Sequence, residues 1–237
     1  MDLTDVAREM NARLSRLEFG PPTAFVYNPL EYAWAPYARY VEKYASDRVE
    51  VLLVGMNPGP FGMAQTGVPF GDATKVRQWL KISGPVGRPA KEHPKRRIEG
   101  FSCRRSEVSG SRLWGWAEAR FSEPERFFSR FFVANYCPLV FMEESGRNRT
   151  PDKLPASEKT GLFKICDWGL EKTVHVLSPR YVLGIGAFAE TRCKEVLNPG
   201  EVQIGRILHP SPASPKANRG WAAEVETRLR SLGIDLP

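Results

Sequence analysis

The sequence predicts an α/β fold, a three-layer sandwich in which helices cover both faces of a central, mostly parallel sheet of four strands. Four short runs rich in Val, Leu, Ile and Phe have the length and composition of buried strands. Segments with helical periodicity separate these runs, and strands that alternate with helices form parallel sheets. Neither an internal repeat nor a second core is visible, so residues 1–237 are predicted to form a single domain.

The four predicted strands each end where the chain turns. The first gives way to a glycine-rich loop, and the others end at or just before Asn135, Gly186 and His209. The predicted strands are residues 49–54, 131–134, 181–185 and 202–208.

Helices are predicted where apolar residues recur at intervals of three and four positions. In the first helix Leu3, Val6, Met10 and Leu14 share one face, and the Gly-Pro-Pro sequence at 20–22 ends the pattern. The predicted helices are residues 2–18, 36–45, 73–82, 113–121, 124–130, 160–176, 187–197 and 217–231.

The charge of the chain favours a polyanionic partner. The formal net charge is +7, which suits binding to nucleic acid. Part of this excess lies in residues 88–112, where eight basic and three acidic residues are mixed with Gly, Pro and Ser. This basic stretch and the polar residues 143–159 are predicted to be loops.

The composition also argues against several classes of protein. No apolar run approaches the roughly 18 residues that cross a membrane, and the acidic N-terminal residues 1–9 lack the apolar core of a secretion signal. We therefore expect no membrane association, and a location in the bacterial cytoplasm or nucleoid or in the eukaryotic nucleus. The four cysteines lie far apart without a C-x-x-C pair, so no zinc site, iron–sulfur cluster or disulfide is predicted.

The loop after the first strand is the strongest candidate for a binding site. Residues 55–72 read GMNPGPFGMAQTGVPFGD. Glycines at the end of a strand allow tight turns and let a ligand approach the backbone closely. A single Gly-Pro turn would indicate only a strand-to-helix connection. The length of this loop and its Met63, Gln65 and Phe70 favour a binding site.

Polar side chains follow three of the predicted strands. Asn57, Asn135 and His209 each lie just past the carboxyl end of a strand. The carboxyl ends of parallel strands share one edge of the sheet, and ligands bind at that edge. The three residues are therefore predicted to converge on one site.

Four segments resemble the motifs of the single-strand-selective monofunctional uracil-DNA glycosylases. The resemblance runs from about residue 20 to the end of the chain. The segments are the loop at 55–72, FSCRRSEVSGSRLWGW at 101–116, FFVANYCPLVFMEESGRN at 131–148 and HPSPASPKANRGW at 209–221.

The same motifs separate the chain from other uracil glycosylases. The commonest type places an Asp and a Tyr in the first loop, where this chain has Asn57. Mismatch-specific relatives share the Asn-Pro-Gly loop but lack the histidine that opens the second motif, which is His209 here. Iron–sulfur relatives need a cysteine arrangement that this chain lacks.

The resemblance implies a base-excision repair enzyme with the uracil-DNA glycosylase fold. Such an enzyme removes uracil and 5-modified uracils, for example 5-hydroxymethyluracil, from single- and double-stranded DNA and leaves an abasic site. It acts as a monomer and uses neither a cofactor nor a metal.

Hydrolysis of an N-glycosidic bond needs a positioned water molecule and a hydrogen-bond donor to the leaving base, and Asn57 and His209 can supply these two functions. The sugar develops positive charge while the leaving base takes negative charge, and donors aimed at the base oxygen stabilise that charge. The resemblance implies that Asn57 and His209 are catalytic. His209 can donate a hydrogen bond to uracil O2. The amide of Asn57 has an acceptor oxygen and two donors, so it can position the attacking water.

The resemblance also assigns a pocket for the base. Asn135 can accept from uracil N3–H and donate to O4, and cytosine reverses that pattern. Phe70 is expected to stack on the base. Backbone groups of Met56, together with Gly59 and Met63 near C5, complete the pocket and leave room for 5-substituents.

The target base must leave the helix before it can enter the pocket. The resemblance implies that residues 210–219, called the wedge loop here, fill the vacated space. Family members often carry Arg at the position of Ala213. Other Arg and Lys side chains would bind phosphates. The predicted DNA contacts are Pro210, Ser211, Pro212, Ala213, Ser214, Lys216 and Arg219 in the wedge loop, Arg147, Asn148, Arg149 and Lys153 in the polar loop, and the basic stretch 88–112.

Three other functions remain open at this point. A glycosylase with a shifted preference for deaminated purines, hypoxanthine or xanthine, would carry the same fold. A non-catalytic protein that binds damaged DNA is disfavoured by intact Asn57 and His209. A phosphate-binding NTPase is disfavoured because the first loop lacks the G-x-x-x-x-G-K-[ST] pattern.

Overall fold

The computed structural model describes residues 1–237 and contains two sheets. The four predicted strands are all present, with bounds that differ from the predicted ones by no more than two residues. The strands are β1 (Phe25–Tyr27), β2 (Val51–Gly55), β3 (Phe131–Asn135), β4 (Val140–Met142), β5 (Asn148–Arg149), β6 (Tyr181–Ile185) and β7 (Gln203–Ile207).

The larger sheet is entirely parallel and has the strand order β3-β2-β6-β7. β2 and β6 lie at its centre and are buried along their whole length. Strands that are covered on both faces read as continuous apolar runs, which is why the sequence identifies them. The predicted α/β fold is confirmed.

Helices surround this sheet, and none of them is long and apolar enough to cross a membrane. The first begins with a capping box, in which the Asp2 carboxylate accepts from the Asp5 backbone amide at 2.9 Å and the Asp5 carboxylate accepts from that of Asp2 at 3.0 Å. The helices are α1 (Leu3–Leu14), α2 (Pro29–Tyr32), α3 (Trp34–Tyr44), α4 (Met63–Thr66), α5 (Ala73–Gln78), α6 (Val108–Phe121), α7 (Pro124–Phe128), α8 (Ala156–Leu177), α9 (Ala187–Val196) and α10 (Pro215–Ser231).

An aromatic cluster fixes α6 and α7 against the edge strand β3. The ring of Phe127 stacks on that of Phe131 with centroids 5.1 Å apart, and Trp116 meets Phe131 edge-on at 6.3 Å. Trp114 is fully buried beside them. Buried aromatic pairs of this kind contribute about 0.5–1.5 kcal/mol each beyond the area that they bury. α6 is therefore a firm base for the residues near its N-terminus, which face the site.

A second, antiparallel sheet of β1, β4 and β5 was not predicted from the sequence. β4 pairs with both of the others, with Val26 opposite Phe141 and Met142 opposite Asn148. These strands have only two or three residues, too few to show an alternating pattern. Because β5 lies within the polar stretch 143–159, that stretch is not simply a loop.

Several helix bounds also differ from the prediction. The first helix ends at Leu14 instead of residue 18, and α8 begins at Ala156, directly after Pro155, instead of at residue 160. The first loop contains the short helix α4, which no periodicity can reveal in four residues. The predicted helix 217–231 is kinked at Gly220, whose φ is 149°.

Candidate active site

The parallel sheet brings the predicted polar residues to one edge. Gly55 at the end of β2 lies opposite Asn135 at the end of β3, and β7 ends two residues before His209. Asn57, Asn135 and His209 line a single cleft of about 270 Å³, close to the lower end of the ~300–1,000 Å³ range of small-ligand sites. The remaining lining residues are Met56, Pro58, Gly59, Gly62, Met63, Phe70, Glu107, Ser109, Asn148, Thr150 and Ser211.

The side chain of Asn57 is held by backbone carbonyls. Its Nδ2 donates to the carbonyl of Leu139 at 3.0 Å and lies 3.4 Å from that of Pro58. No protein donor bonds its Oδ1. A half-buried amide whose nitrogen is fixed in this way presents its oxygen as an acceptor to the cleft. That oxygen is suited to accept a proton of a water molecule and so to orient it.

The absence of a side chain at Gly55 sets the shape of the cleft between Asn135 and Phe70. A Cβ atom placed there would lie 2.5 Å from Asn135 Oδ1 and 2.6 Å from Cε2 of Phe70. Any larger residue would therefore push both side chains out of position. The Nδ2 of Asn135 lies 3.3 Å from the sulfur of Met63. Asn135 thus packs beside Phe70 over this glycine and contacts Met63 directly.

The rings of Phe70 and His209 lie side by side in the cleft. Their centroids are 6.3 Å apart and their planes are inclined by 46°. Phe70 has a φ of 53°, which a bulky residue rarely adopts. Such strain is typical of functional sites, where the surrounding structure holds the residue in place.

His209 is half-buried and makes no hydrogen bond to the protein. Its Cβ would lie 3.3 Å from a Cβ at Gly186, whose φ of 94° also favours glycine. Burial lowers the pKa of His209 below its ordinary value, because desolvation disfavours the imidazolium. The neutral imidazole therefore predominates at neutral pH. It keeps one N–H to donate, and no protein acceptor competes for it.

Comparison with known proteins identifies the family. Residues 42–230 match the family model of the uracil DNA glycosylase superfamily. The chain belongs to this superfamily. This match confirms the resemblance that the four sequence motifs indicated and the uracil-DNA glycosylase fold that it implied.

The relatives within this superfamily match almost the whole chain. A single-strand selective monofunctional uracil DNA glycosylase of Mus musculus is 49% identical over 227 residues, which cover 95% of this chain and 81% of the relative. The protein of the same name in Bos taurus is 48% identical, covering 95% of this chain and 84% of its own length. The crystal structure of Pedobacter heparinus SMUG2 has a TM-score of 0.68 and covers 98% of this chain and 97% of that chain. Its 19% identity restricts this likeness to the fold.

The wedge loop of this uracil-glycosylase family member is braced by Arg112, a residue for which the sequence predicted no role of its own. From α6, its Nη1 donates to the carbonyls of Pro210 at 3.2 Å and Ser211 at 3.3 Å. Its Nη2 donates to Oδ1 of Asn218 at 2.8 Å, and Nδ2 of Asn218 donates to the carbonyl of Pro212 at 2.9 Å. The only signal in the sequence was that Arg112 lies in the 101–116 motif.

The wedge loop itself is exposed at its tip. Pro212, Ala213, Lys216 and Arg219 are exposed, while Pro210 is buried. Ser214 begins α10, because its Oγ accepts from the backbone amide of Ala217 at 3.3 Å. The predicted loop is therefore too long, because residues 215–219 lie in the first turns of α10 and only residues 210–214 are irregular. Arg112 holds the start of this irregular part.

The predicted phosphate contacts of the polar loop fall into two groups. Arg147 and Asn148 are exposed, and the side chain of Lys153 is 71% exposed. Arg149 is largely buried instead, and its Nη1 donates to the carboxylate of Glu143 at 2.9 Å. The geometry favours a structural role for Arg149, as a brace between β4 and β5.

Glu107 is a cleft residue that the sequence analysis did not single out. Its carboxylate caps the N-terminus of α6 by accepting from the backbone amides of Ser109, at 3.3 Å, and Gly110. Burial raises its pKa above the ordinary value, which these hydrogen bonds partly oppose. In the sequence, Glu107 stands one position before a helix, where a side chain can cap the helix N-terminus. The sequence therefore indicated a structural role for Glu107 and gave no sign that it lines the cleft. No three His, Cys, Asp or Glu side chains are placed to hold a metal ion.

Proposed function

We propose that this protein is a monofunctional DNA glycosylase of base-excision repair that removes uracil and 5-modified uracils and leaves an abasic site. One observation carries the proposal: Asn57, Asn135 and His209 reach one cleft from the ends of three different strands. The superfamily match and the names of the relatives that are about half identical support the same activity.

In the proposed reaction the bond between C1′ of the sugar and N1 of the base breaks, and the electron pair leaves with the base. His209 donates its N–H to uracil O2, where negative charge develops. A preorganised donor of this kind contributes most where water is excluded. The lowered pKa keeps His209 neutral, so its role is that of a hydrogen-bond donor.

Water attacks C1′ and loses a proton to solvent, and the uracil anion takes up a proton from solvent, which gives the abasic sugar and free uracil. Asn57 holds this water with the Oδ1 that no protein donor occupies. An amide is a weak base, which suits a sugar that already carries positive charge in the transition state. Its contribution is therefore orientation of the nucleophile.

Asn135 reads the base. Its Oδ1 accepts from uracil N3–H and its Nδ2 donates to O4, while the ring of Phe70 stacks on the pyrimidine. The sulfur of Met63, at 3.3 Å, is a weak acceptor that leaves the Asn135 amide available. Cytosine presents a donor where uracil has O4, so this pattern rejects it.

The pocket has space beside Gly59 for a substituent at C5. A Cβ at Gly59 would approach only Oε1 of Glu107, at 4.0 Å. We therefore expect 5-hydroxymethyluracil to be a substrate. A Gly59→Leu variant should lose activity on 5-hydroxymethyluracil more than on uracil. Equal losses of activity on both bases would show that Gly59 does not lie near C5 of the bound base.

The activity is tested with oligonucleotides that carry uracil, 5-hydroxymethyluracil, hypoxanthine or xanthine, followed by alkaline cleavage of the abasic products. Uracil and 5-hydroxymethyluracil should be released and the backbone should stay intact before alkali. A preference for hypoxanthine or xanthine would support the deaminated-purine alternative. No release of any base would support a damage-binding protein. Excess EDTA should leave the rates unchanged.

We infer that the protein works as a monomer on single- and double-stranded DNA, in the nucleoid or the nucleus. Exposed Arg147 and Lys216 are assigned to phosphates. Alanine at either position should weaken binding to damaged and undamaged DNA alike and lower the slope of log K against log salt by about 0.7–0.9. Arg149→Ala is the matched comparison. It should lower the stability of the fold and leave the salt slope nearer to that of the wild type.

A further inference from the structure

Phe61 is a partly exposed aromatic residue at the rim of the cleft. It lies in the first loop between Gly59 and Gly62, which both line the cleft. Two guanidinium groups from the basic stretch pack on its ring. The Cζ of Arg105 lies 4.4 Å from the ring centroid and that of Arg96 lies 5.4 Å from it. Both distances are typical of cation–π contacts.

Neither guanidinium is neutralised by a carboxylate. The side chain of Arg105 makes no hydrogen bond or ion pair with the protein. Arg96 donates only to backbone carbonyls, from Nε to that of Gly146 at 3.1 Å and from Nη1 to that of Lys95 at 3.1 Å. A stacked guanidinium is held flat, and its free N–H groups match the geometry of a phosphate.

The surroundings add further positive charge. Arg97 and Arg104 lie in the same basic stretch, and Arg147 follows Gly146, whose carbonyl accepts from Arg96. All three are exposed and make no ion pair. Six arginines elsewhere in the chain are paired with a carboxylate: Arg13, Arg120, Arg130, Arg149, Arg192 and Arg206.

We propose that Phe61, Arg96 and Arg105 form a second DNA contact, called the rim platform here, which binds phosphates of the strand that carries the flipped nucleotide. The inference rests on the proposed function and concerns how the substrate is held. A wedge loop acts by filling a gap in a stacked duplex, and single-stranded DNA offers no such gap. A single-stranded substrate must therefore be held by contacts to its own backbone, and the rim platform supplies them.

The elements that support the rim platform differ from those that support the wedge loop. Arg96 is tied to Gly146, two residues before Asn148 in the cleft. Arg105 lies two residues before Glu107, which lines the cleft as well. A strand whose base enters the cleft passes over this rim, so the backbone beside the flipped nucleotide is within reach of both guanidinium groups.

The test compares Arg105→Gln with a matched control, Arg180→Gln. Arg180 is also exposed and stacks on an aromatic ring, with its Cζ 5.1 Å from the centroid of Tyr181. It precedes β6, at the end of the sheet opposite the cleft. Both variants remove one positive charge from a stacked guanidinium. Only Arg105→Gln removes it from the rim.

Affinity is measured by fluorescence anisotropy on single-stranded and duplex oligonucleotides that carry a tetrahydrofuran abasic analogue. Arg105→Gln should weaken single-strand binding by about tenfold, the effect of one charge-assisted hydrogen bond. It should also lower the single-strand salt slope by about 0.7. Phe61→Leu keeps every charge but frees the guanidiniums, so it should weaken binding with a smaller change of slope.

Shortening the oligonucleotide from each end locates the contact. Removing the nucleotides that cross the rim platform should abolish the difference between wild type and Arg105→Gln. Equal single-strand affinities of Arg105→Gln and Arg180→Gln would overturn the proposal. So would a loss confined to duplex DNA, which would place the contact on the complementary strand.

A readout of the chemistry separates this inference from the proposed function. The single-turnover rate on uracil at saturating protein should fall much less in Arg105→Gln than its single-strand affinity does, because the rim platform does not touch the base. If the wild type releases no uracil, the proposed activity fails. The comparison of binding between Arg105→Gln and Arg180→Gln still decides the rim platform.

Discussion

The two loops that carry Asn57 and His209 are held in different ways. The first loop is joined to the sheet by backbone hydrogen bonds, since the amides of Tyr136 and Cys137 donate to the carbonyls of Gly55 and Met56 at 2.8 and 2.9 Å. The wedge loop is held mainly from outside, by the side chain of Arg112.

Gln65 completes the support of the first loop. It is fully buried, and its Nε2 donates to the carbonyls of Pro60 and Arg97, each at 3.0 Å. Its Oε1 accepts from the amides of Glu99 and Gly100 at 2.8 and 3.1 Å. Buried, fully satisfied networks rigidify a structure, whereas exposed hydrogen bonds open at a lower free energy. The first loop is therefore preformed, and the wedge loop is the part that can adjust its conformation.

The largest expected effect separates the chemistry of the two loops. His209→Ala should slow excision of uracil on the order of 10²–10³-fold, as the loss of one preorganised donor does. The penalty should shrink on 5-fluorouracil, whose anion is a better leaving group and needs the donor less. The Asn57→Ala penalty should change less between the two bases, because placement of water does not depend on the acidity of the base.

Single-turnover rates of both variants on both substrates test this, under conditions in which chemistry limits the rate. If His209→Ala slows excision of uracil and 5-fluorouracil by the same factor, His209 does not stabilise the leaving base.

Breaking the support of the first loop should affect stability. Gln65→Leu leaves the carbonyls of Pro60 and Arg97 and the amides of Glu99 and Gly100, which are buried or partly buried, without this partner. Each unsatisfied group costs about 1–3 kcal/mol, so we expect a loss of at least ~2 kcal/mol in the free energy of unfolding, measured by urea denaturation. The control Gln78→Leu, at the exposed end of α5, should change it by less than about 0.5 kcal/mol. Similar losses in the free energy of unfolding for the two variants would contradict the conclusion that Gln65 makes the first loop rigid.

Breaking the support of the wedge loop should affect duplex activity instead. Arg112→Gln should slow single-turnover excision from duplex DNA by about tenfold. The variant removes roughly one charge-assisted hydrogen bond that positions the loop. Single-stranded uracil, which offers no stack to enter, should be affected less.

The matched control for this effect is Arg120→Gln. Arg120 also links α6 to α10, through Glu226 at 2.6 Å, but it lies two turns further along α6. This variant should keep the wild-type ratio of duplex to single-strand rates. If the two variants shift that ratio equally, the effect belongs to the helix pair and not to the loop.

The smallest effect concerns acid stability. His209 has a pKa below its ordinary value of 6.5 in the folded state, so the unfolded chain binds a proton that the folded chain does not. The stabilisation is fully present above the ordinary pKa and is lost as the pH falls through the lowered one. Between about pH 7 and 5, the free energy of unfolding should fall less steeply in His209→Asn than in the wild type. His175→Asn, which removes an exposed histidine, is the control and should retain the wild-type slope.

The sequence alone determined the parallel sheet and the edge at which the site lies. The strands of the central sheet are buried on both faces, so their apolar runs stand out whatever they pack against. Asn57, Asn135 and His209 follow those runs directly, and parallel strands bring such positions to one edge. The motifs around them also assigned the family.

The tertiary structure decided what holds those residues in place. Arg112 reaches the carbonyl of Pro210 across 98 positions of the chain, and no local pattern records such a contact. The pairing of Arg149 with Glu143 depends on the hairpin of β4 and β5, whose strands are too short to show a period. Local patterns determine which segments are buried, because burial selects residue types one position at a time. Hydrogen bonds between distant segments depend on where the folded chain places two particular atoms, and only the tertiary structure fixes that.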